Sequence, residues 1–511
     1  MRKEMILVVD FGSQLAHLIA RRIRSLGVYT EIVEPTVKAS WIKNQKPQGI
    51  ILSGGPQSVY EKDSLTLDKE LLELGIPILG ICYGHQLLAQ VLGAKVIPAN
   101  KEYGKETLTV KKSKLLKGLD KKEQVWASHG DTVLSAPEGF EVVGATEECN
   151  IAAFENSDKK IYGVQFHPEV AHTINGMKVL KNFVEITGGG KGYSIKGLDR
   201  KLVAEIKSTV KDGAVIMGVS GGVDSLVASV LVRTATPNIY CVFVDHGLIR
   251  KNEKQEVAEL YRKLQFKHFY YVDAAKLFLH RLKGITDPEK KRKIIGNTFI
   301  EVFERKVKEL KKYHDIKYLG QGTIYPDRIE SAKASKQASV IKTHHNVGGL
   351  PEKMKLKLVE PLKDLYKDEV RELGKELGLK KEWLWKHPFP GPGLAVRIPG
   401  IVTPQKIALL KEADAIFMEE LKKSGYYDKT WQAFAALLPV KAVGVMGDAR
   451  AYGYIITLRA VTSQDAMTAD WAKLPPELLE RVSTKITKKV KGVTRVLYDI
   501  SQKPPATIEY E

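Results

Sequence analysis

The chain has 511 residues, of which 43% are hydrophobic, and it carries a formal net charge of +20. This length predicts about three domains, and the composition is ordinary for globular folds. No apolar run is long enough to span a membrane, and residues 1–10 lead directly into a strand pattern, so we expect neither a membrane anchor nor a signal peptide. Three scattered cysteines indicate a reducing, cytoplasmic location. The basic charge fits nucleic acid or anionic nucleotides and does not decide between these partners.

The most informative segment is the run 80–86, Gly-Ile-Cys-Tyr-Gly-His-Gln, which lies between an apolar strand pattern and a helical pattern. It predicts that Cys82 lies on a sharp strand-to-helix turn, with a glycine on each side where the chain must bend. The N-terminus of the following helix favours the thiolate form of this cysteine. We therefore predict a nucleophile that forms a covalent thioester with an acyl substrate.

A base for this nucleophile is predicted in the run 161–169, a buried strand pattern that ends in His-Pro-Glu. His167 and Glu169 are two residues apart, so both side chains leave an extended chain on the same face. Glu169 can then orient the imidazole while His167 takes the thiol proton. Taken alone, a His-Pro-Glu run is more often a solvated loop, and it is the upstream cysteine turn that favours a catalytic pair.

These motifs resemble those of the class I glutamine amidotransferases, which hydrolyse glutamine to glutamate and ammonia through a Cys-His-Glu triad. The resemblance implies that Gly55, in the Ser-Gly-Gly-Pro run 53–56, and the Tyr83 N–H form the oxyanion hole. It also implies that Gln86 belongs to the glutamine-binding site. Without the resemblance, Ser-Gly-Gly-Pro would be an ordinary tight turn. The polar run 128–131, Ser-His-Gly-Asp, is either a turn or a surface that senses a second domain.

The pattern of elements predicts three domains. A glycine-rich run at 187–193 predicts a flexible linker, and we place the first domain at residues 1–189. Strands alternate with helices on both sides of it, which predicts two α/β domains with largely parallel sheets, the second at residues 190–390. A Pro-Gly-Pro-Gly run marks a further joint, and residues 391–511 have the pattern of a small α+β domain.

A second kind of chemistry is predicted where a β-branched strand pattern is followed by the run 220–225, Ser-Gly-Gly-Val-Asp-Ser, and then by a helical pattern. Strand, glycine-rich loop and helix are the arrangement that binds phosphate through main-chain N–H groups and the helix dipole. The loop lacks the lysine that ends the loop of kinases and GTPases, so a different phosphate-binding loop is predicted. The run resembles the pyrophosphate-binding loop of the ATP pyrophosphatases.

That resemblance implies an adenine-nucleotide α-hydrolase-like fold for the second domain. It also implies an ATP site formed by Ser220, Gly221, Gly222, Val223, Asp224, Ser225, Leu226 and Val244. Leu226 stands where the family commonly has a second serine, so this position departs from the family pattern. Magnesium is expected with the pyrophosphate, since phosphate oxygens bind hard cations, and Asp224 is a candidate ligand. The alternative role for Asp224 is to cap the helix that follows.

Further runs resemble the family of glutamine-hydrolysing GMP synthetases, and the resemblance covers essentially the whole chain. They lie at 320–327, 341–351, 360–364, 387–394 and 503–509. The resemblance implies that xanthosine monophosphate, ATP and glutamine become GMP, AMP, pyrophosphate and glutamate. Ammonia from the first site would displace AMP from an adenylylated purine in the second. The resemblance further implies a homodimer formed by the third domain, with neither nucleic acid nor a membrane as a partner.

For xanthosine monophosphate, the resemblance implies a site formed by Arg292, Gln432, Lys503, Ile508 and Glu509. Cationic side chains suit a monophosphate, and a carboxylate can accept hydrogen bonds from the edge of a purine. The glycine-rich run 341–351 contains Lys342, His344 and His345 and would suit a lid that closes over the nucleotides. Two adjacent histidines without a third ligand do not predict a metal site there.

Two other functions stay open on the sequence alone. A Ser-Gly-Gly-x-Asp-Ser loop also occurs in enzymes that adenylylate a base of transfer RNA, and this chain is basic, but such an enzyme has no need of a glutaminase. The other alternative is a regulatory or scaffold protein without activity. The intact Cys82, His167 and Glu169 and the intact phosphate loop argue against it.

Overall fold

The structure is a computed structural model, and it describes residues 4–190, 192–329, 356–446, 449–463 and 468–511. The chain forms two compact units, Met1–Ser194 and Ile195–Glu511. Each unit is described by itself below. No helix among the described residues is both long enough and apolar enough to cross a bilayer. The division into three domains stays a prediction.

The first unit is built on a nine-stranded sheet. Its strands are β1 (Met5–Val9), β2 (Tyr29–Val33), β3 (Gly49–Leu52), β4 (Ile78–Ile81), β5 (Val96–Val110), β6 (Lys122–Val133), β7 (Glu141–Ala145), β8 (Ala153–Asn156) and β9 (Ile161–Val164). Its helices are α1 (Ala16–Ser25), α2 (Ala39–Gln45), α3 (Tyr83–Val91) and α4 (Gly176–Ile186), with a 3₁₀ turn at Lys69–Glu73.

The strand order of this sheet is β2-β1-β3-β4-β9-β8-β7-β5-β6. The strands from β2 to β9 pair in parallel, and all of them except the edge strand β2 are apolar runs, as expected of strands covered on both faces. The remaining strands, from β8 to β6, pair antiparallel. Because β4 and β9 are parallel neighbours, with Ile81 opposite Val164, the segments that follow both strands emerge at the same edge.

The second unit contains a five-stranded sheet and a four-stranded sheet. Its strands are β10 (Ala214–Gly218), β11 (Ile239–Asp245), β12 (His268–Asp273), β13 (Ile316–Gly320), β14 (Lys357–Val359), β15 (Gln432–Met446), β16 (Ala449–Thr462), β17 (Asp470–Trp471) and β18 (Val493–Tyr498). Its helices include α5 (Leu198–Val210), α6 (Val223–Ala235), α7 (Glu253–Lys263), α8 (Ala275–Arg281), α9 (Pro288–Leu310), α10 (Lys367–Glu376), α11 (Lys381–Leu384), α12 (Pro404–Lys423) and α13 (Pro476–Lys489), with a 3₁₀ turn at Gly393–Arg397.

The five-stranded sheet has the order β12-β11-β10-β13-β14 and is parallel throughout. In the other sheet, β16 lies between β15 and β18, antiparallel to the first and parallel to the second. One hydrophobic core joins residues from both sheets, including Val244 and Leu248 on one side and Leu437 and Ile456 on the other. The predicted α/β fold class, with largely parallel sheets and an α+β region at the C-terminal end, is confirmed.

Candidate functional sites

The turn between β4 and α3 carries the cysteine nucleophile predicted from sequence. Cys82 has φ 54° and ψ −107°, a left-handed conformation that a residue with a side chain rarely adopts. The glycines on both sides are required by close contacts. A Cβ at Gly80 would lie 2.4 Å from the carbonyl oxygen of Gly84, and a Cβ at Gly84 would lie 2.5 Å from that of Leu52. The turn therefore holds Cys82 in a strained conformation at the start of a helix, where its side chain is 6% exposed.

The structure brings His167 and Glu169 to this cysteine, since both follow β9, the parallel neighbour of β4. His167 Nδ1 lies 2.8 Å from Glu169 Oε1, and both side chains are buried. The space beside Gly54 is shared, because a Cβ at this glycine would lie 3.3 Å from His167 Cε1 and 3.6 Å from Cys82 Cβ. Thiol, imidazole and carboxylate thus form one cluster.

The electrostatics of this cluster favour a charged imidazole. Burial opposes protonation of the ring, but the Glu169 carboxylate and the Cys82 sulfur outweigh it and raise the pKa of His167 well above its usual range. An imidazolium beside a thiol stabilises the thiolate, which is the form that attacks an acyl carbon. The ring can later return its proton to a leaving amine.

The predicted oxyanion donors lie beside the same turn. Gly84 N–H donates to Ser53 O at 3.1 Å, which holds the loop of residues 53–56 against the first turn of α3. A Cβ at Gly55 would lie 2.8 Å from Phe11 O and 3.2 Å from the Tyr83 ring, so only glycine fits there. The N–H of Tyr83 belongs to the first residue of α3 and has no acceptor within the helix. Both predicted donors are therefore close to the nucleophile.

Gln86, predicted to bind glutamine, is buried in the first turns of α3. Its amide nitrogen donates to Asp131 O at 3.0 Å and to Gln165 Oε1 at 3.1 Å. These contacts tie the helix to β6 and to the residue after β9, and a contact with the substrate stays a prediction. Cys82 Sγ lies 3.7 Å from Ser128 O. The run 128–131, which the sequence left as a turn or a sensing surface, is thus part of a strand beside the nucleophile.

The predicted phosphate loop follows β10 and begins α6. Gly221 has φ +72°, which glycine adopts without strain. The loop is closed by its two serines, whose Oγ atoms are 3.2 Å apart, and Ser225 Oγ donates to Gly222 O at 3.1 Å. Gly222 N–H donates weakly to Ser220 Oγ, at 3.4 Å. The serine hydroxyls therefore hold the loop together at the N-terminus of α6.

Two features around Asp224 were not predicted. A Cβ at Gly322, just after β13, would lie 3.0 Å from the main chain of Asp224 and Ser225, so Gly322 packs on the loop. Asp224 Oδ1 is buried and makes no hydrogen bond within the described residues, while Oδ2 lies 3.4 Å from Lys367 Nζ. The family resemblance of the run 320–327 could have indicated that Gly322 lies near the loop. No local sequence pattern indicated the contact between Lys367 and Asp224.

The other predicted ATP residues are core positions. Val244, near the end of β11, is buried, and so are Val223 and Leu226 in α6. Leu226 N–H donates to Gly222 O at 3.1 Å, so both its side chain and its amide are used within the protein. At the end of β11, Asp245 accepts hydrogen bonds from Gly247 N–H at 2.8 Å and from the Tyr271 hydroxyl at 2.7 Å.

The C-terminal segment brings together most of the residues predicted to bind xanthosine monophosphate. Gln432 Nε2 donates to Glu509 Oε1 at 2.6 Å. Arg397, which is fully buried, donates to both oxygens of Glu509, at 2.9 and 3.0 Å. Burial opposes the charge of this arginine, but the Glu509 carboxylate outweighs it and raises the pKa of Arg397 above its ordinary value. Arg397 was missed because its partner is 112 residues away.

Arg292 lies against the end of the same segment, where its NH2 atom donates to Glu511 O at 2.5 Å. The neighbouring Lys291 is fully buried and contacts Glu511 Oε2 at 2.5 Å. Ile508 O accepts from Arg459 Nε at 2.8 Å. Lys503 is held differently, by two main-chain hydrogen bonds with Ala469 at 2.8 and 3.0 Å. The predicted lid residues Lys342, His344 and His345 lie outside the described residues.

The chain is similar to known proteins over almost its whole length. Residues 7–186 match the family profile "Glutamine amidotransferase class-I", and residues 419–510 match "GMP synthase C terminal domain". The chain is 54% identical over 510 residues to "GMP synthase [glutamine-hydrolyzing]" of Carboxydothermus hydrogenoformans, covering 99% of each chain. It is 52% identical to proteins of the same name from Aquifex aeolicus, covering 100% of both chains, and from Caldanaerobacter subterraneus subsp. tengcongensis, covering 100% of this chain and 99% of the other.

Proposed function

The chain belongs to the family of glutamine-hydrolysing GMP synthases, and from this premise we propose that its two strand-to-helix turns carry the two half-reactions. The products of the whole reaction are GMP, AMP, pyrophosphate and glutamate, formed from xanthosine monophosphate, ATP, glutamine and water. The observation that carries this assignment is the buried pair of His167 and Glu169 beside Cys82, with Nδ1 and Oε1 2.8 Å apart. This cluster has the parts that amide hydrolysis needs.

In the first half-reaction, the Cys82 thiolate attacks the side-chain amide carbon of glutamine and forms a tetrahedral oxyanion. The main-chain N–H groups of Gly55 and Tyr83 stabilise that oxygen. His167 gives its proton to the departing ammonia and then activates a water molecule that hydrolyses the thioester. Glu169 holds the ring in place and stabilises its charge. The raised pKa of His167 supports this role, since the ring must carry a proton when ammonia leaves.

In the second half-reaction, the loop of residues 220–225 binds the phosphates of ATP through its main chain. The C2 oxygen of xanthosine monophosphate attacks the α-phosphorus, and pyrophosphate leaves toward the loop. Ammonia then attacks the purine carbon and displaces AMP. The serine contacts within the loop support this role, because they pre-organise the N–H groups before the substrate arrives.

Magnesium fits this loop because Asp224 Oδ1 is buried there without a hydrogen-bond partner among the described residues. A buried carboxylate oxygen without a hydrogen bond is a suitable ligand for a hard cation. Such a cation would neutralise the charge of the leaving pyrophosphate. Asp224 would hold the ion directly or through a water molecule. Lys367 Nζ lies 3.4 Å from the other carboxylate oxygen, Oδ2.

The site for xanthosine monophosphate is proposed around the C-terminal segment. The residues assigned to it are Arg292, Gln432, Lys503, Ile508 and Glu509. The direct contact between Gln432 and Glu509 supports a common site, and the buried Arg397 holds the carboxylate in position. Arg292 offers a guanidinium suited to a monophosphate.

The assembly proposed for the chain is a homodimer in the cytoplasm. The long hairpin of β15 and β16 exposes apolar side chains, among them Val443 at 59%, Val445 at 75% and Tyr452 at 68%. Exposed apolar residues that share one hairpin are typical of an interface between subunits. The three cysteines are all free, which fits a reducing compartment.

Glutamine labelled in its amide nitrogen tests the whole proposal. With xanthosine monophosphate, ATP and magnesium, the purified protein is expected to place the label in GMP and to release one pyrophosphate per GMP. Unlabelled ammonia in excess should compete with the label. Release of pyrophosphate that depends on added transfer RNA and not on xanthosine monophosphate would overturn the proposal.

A further inference from the structure

A second cluster of reactive side chains lies in the first unit and shares no residue with the triad. Glu102 on β5, His129 on β6 and Cys149 in the segment before β8 have exposed fractions of 2%, 6% and 1%. One carboxylate oxygen, one ring nitrogen and the sulfur of these residues all lie within 4.8 Å of one another. The three residues are far apart in the chain, so the fold itself assembles this set of donors. We call it the Glu-His-Cys cluster.

The central pair of the cluster is in direct contact. His129 Nε2 and Glu102 Oε2 are 2.8 Å apart, which is the distance of an ion pair. Both atoms are buried, and neither makes a well-aligned hydrogen bond within the part of the chain that the structure describes. Buried polar atoms without such a bond are rare in proteins, and a missing ion is one of the physical explanations. A cation bound by both atoms would satisfy them.

The second polar atom of His129 and that of Glu102 already have hydrogen-bond partners. These bonds orient the two atoms that face each other. His129 Nδ1 lies 3.0 Å from Asp131 O, and because a carbonyl oxygen only accepts, Nδ1 carries the hydrogen. Nε2 then has its lone pair available. Glu102 Oε1 accepts from the Thr146 hydroxyl at 2.7 Å. A ring N–H that donates to a carbonyl and a ligating carboxylate that is itself hydrogen-bonded are the usual supports of metal ligands.

The third donor is held by the same threonine. Cys149 N–H donates to Thr146 Oγ1 at 3.0 Å, and Cys149 Sγ lies 3.4 Å from Thr132 Oγ1. The thiolate is the form that ligates a metal, so binding of a cation would release the proton of Cys149.

We propose that Glu102, His129 and Cys149 bind a zinc-type divalent cation, one per chain. Sulfur, imidazole nitrogen and carboxylate oxygen together are the donor set of zinc, and hard cations such as magnesium do not select sulfur. The fourth position falls to water or to the Thr132 hydroxyl. The site is separate from the magnesium site proposed at Asp224, which lies in the other unit.

The role of this ion is structural. It joins β5, β6 and the segment that contains Cys149, and His129 is the neighbour of Ser128, whose carbonyl oxygen is 3.7 Å from Cys82 Sγ. Binding of the ion therefore stabilises the strand that lies beside the nucleophile. It takes no part in the transfer of protons or of the acyl group.

Cobalt spectroscopy tests the site directly, because the chain has three cysteines and two can be removed. In the full chain with Cys82→Ala and Cys241→Ser, the only thiol is that of Cys149. After dialysis against a chelator, this protein is expected to bind one cobalt ion with a thiolate-to-cobalt charge-transfer band in the near ultraviolet. Zinc should then displace the cobalt, since zinc binds such donors more tightly.

Two matched variants in this background locate the ion. Cys149→Ser should abolish the charge-transfer band, and Thr146→Val should weaken cobalt binding by about 10- to 100-fold, because it removes a support of two ligands. Absence of the band in the parent protein, or its persistence after Cys149→Ser, would overturn the proposal. In that case the two residues form a bare ion pair.

Thermal unfolding gives a second measurement that does not depend on removing a thiol. Added zinc should raise the melting temperature of the chelator-treated natural sequence, and the rise should disappear in Glu102→Gln, which keeps the size of the side chain. Cys241→Ser, which removes a buried thiol from β11, is the control and should keep the rise. An equal rise in Glu102→Gln would also overturn the proposal.

Discussion

Each of the two strand-to-helix turns follows a strand with a parallel neighbour on both sides, and the two turns use this setting in different ways. At the first, a residue with a side chain, Cys82, adopts φ 54°, and that side chain is the reactive group. At the second, the left-handed residue is Gly221, with φ +72°, and the loop presents its main chain. The first turn therefore depends on the identity of one atom, sulfur. The second depends on where several N–H groups lie.

This difference predicts two kinds of sensitivity. Exchange of a single atom at the first turn should abolish the reaction without moving the backbone. At the second turn, a substitution should lower activity only if it displaces the main chain of the loop or the charged groups that contact it. Equal sensitivity of the two turns to single substitutions would break this contrast.

Cys82→Ala should have the largest effect. We expect glutamine-dependent GMP formation to fall by about 10⁶-fold, as when a nucleophile is removed from a comparable triad. GMP formation from added ammonia should continue, because the second turn is unchanged. Rates with glutamine and with ammonium chloride give the comparison. Loss of both activities in a protein that still melts cooperatively would contradict separate sites.

Glu169→Gln should lower glutamine-dependent activity by about 10⁴-fold, since the amide no longer orients and stabilises the protonated ring. The variant should also lower the pKa of His167, which the Glu169 carboxylate now raises. An NMR titration of the ring measures this shift. An unchanged pKa would show that the carboxylate does not interact with the imidazole.

The same pair predicts how stability depends on pH. A pKa raised in the folded state contributes stability that is fully present below the ordinary histidine pKa, about 6.5, and is lost as pH rises through the folded pKa. The natural sequence should therefore exceed Glu169→Gln in unfolding free energy most near about pH 6 and less at alkaline pH. Denaturant unfolding at several pH values measures this difference.

Gly221→Ala should reduce ammonia-dependent synthesis by about 5- to 150-fold, which corresponds to the ~1–3 kcal/mol of backbone strain expected at a left-handed residue. The added Cβ would also lie 2.6 Å from Val257 Cγ2 and push the loop. Basal glutaminase should be unaffected. Gly284→Ala is the control, because Gly284 has φ +78° and open space around its Cβ position. Equal losses in both variants would mean that strain alone, and not the phosphate loop, is responsible.

Gln432→Ala should raise the KM for xanthosine monophosphate by about tenfold, the value of one hydrogen bond to a charged group. The KM for glutamine should not change. Gln502→Ala is the matched control, because Gln502 is exposed and contacts Asp470 Oδ1 at 3.1 Å. A change in kcat alone would argue that Gln432 positions another group and does not bind the nucleotide.

Val443→Asp should give the smallest effect on catalysis and a clear effect on assembly. A charge on the exposed face of the β15–β16 hairpin should weaken the homodimer by about tenfold or more, since burying an unpaired charge is unfavourable. Sedimentation at a series of concentrations measures the dissociation constant. Ile174→Asp, at an apolar residue 67% exposed in the first unit, is the control. Equal dissociation constants for the two variants would place the interface elsewhere.

The sequence alone was sufficient where the chemistry is local. The cysteine turn requires glycines at fixed spacing, and His167 and Glu169 are two residues apart, so short-range geometry determined both. The closure of the phosphate loop by Ser220 and Ser225 is also local. Alternating strands and helices predicted the α/β class, because periodicity reports which faces are buried.

The first half of strand β15 is not indicated by its local sequence. It begins at Gln432 and contains the run Ala-Phe-Ala-Ala-Leu-Leu. Alanine and leucine have little intrinsic preference for strands, so the local pattern did not indicate one. The run is a strand because β16 supplies its hydrogen bonds and the core covers it.

Tertiary structure alone decided the contacts between distant segments. Arg397 and Glu509 form a buried charged pair although they are 112 residues apart, and the carbonyl oxygen of Ser128 reaches the sulfur of Cys82 from another strand. The Glu-His-Cys cluster is likewise assembled from three separate segments. The spacing of residues along the sequence does not predict such contacts, because each is stable only once the sheets are packed and the charged groups have lost their water.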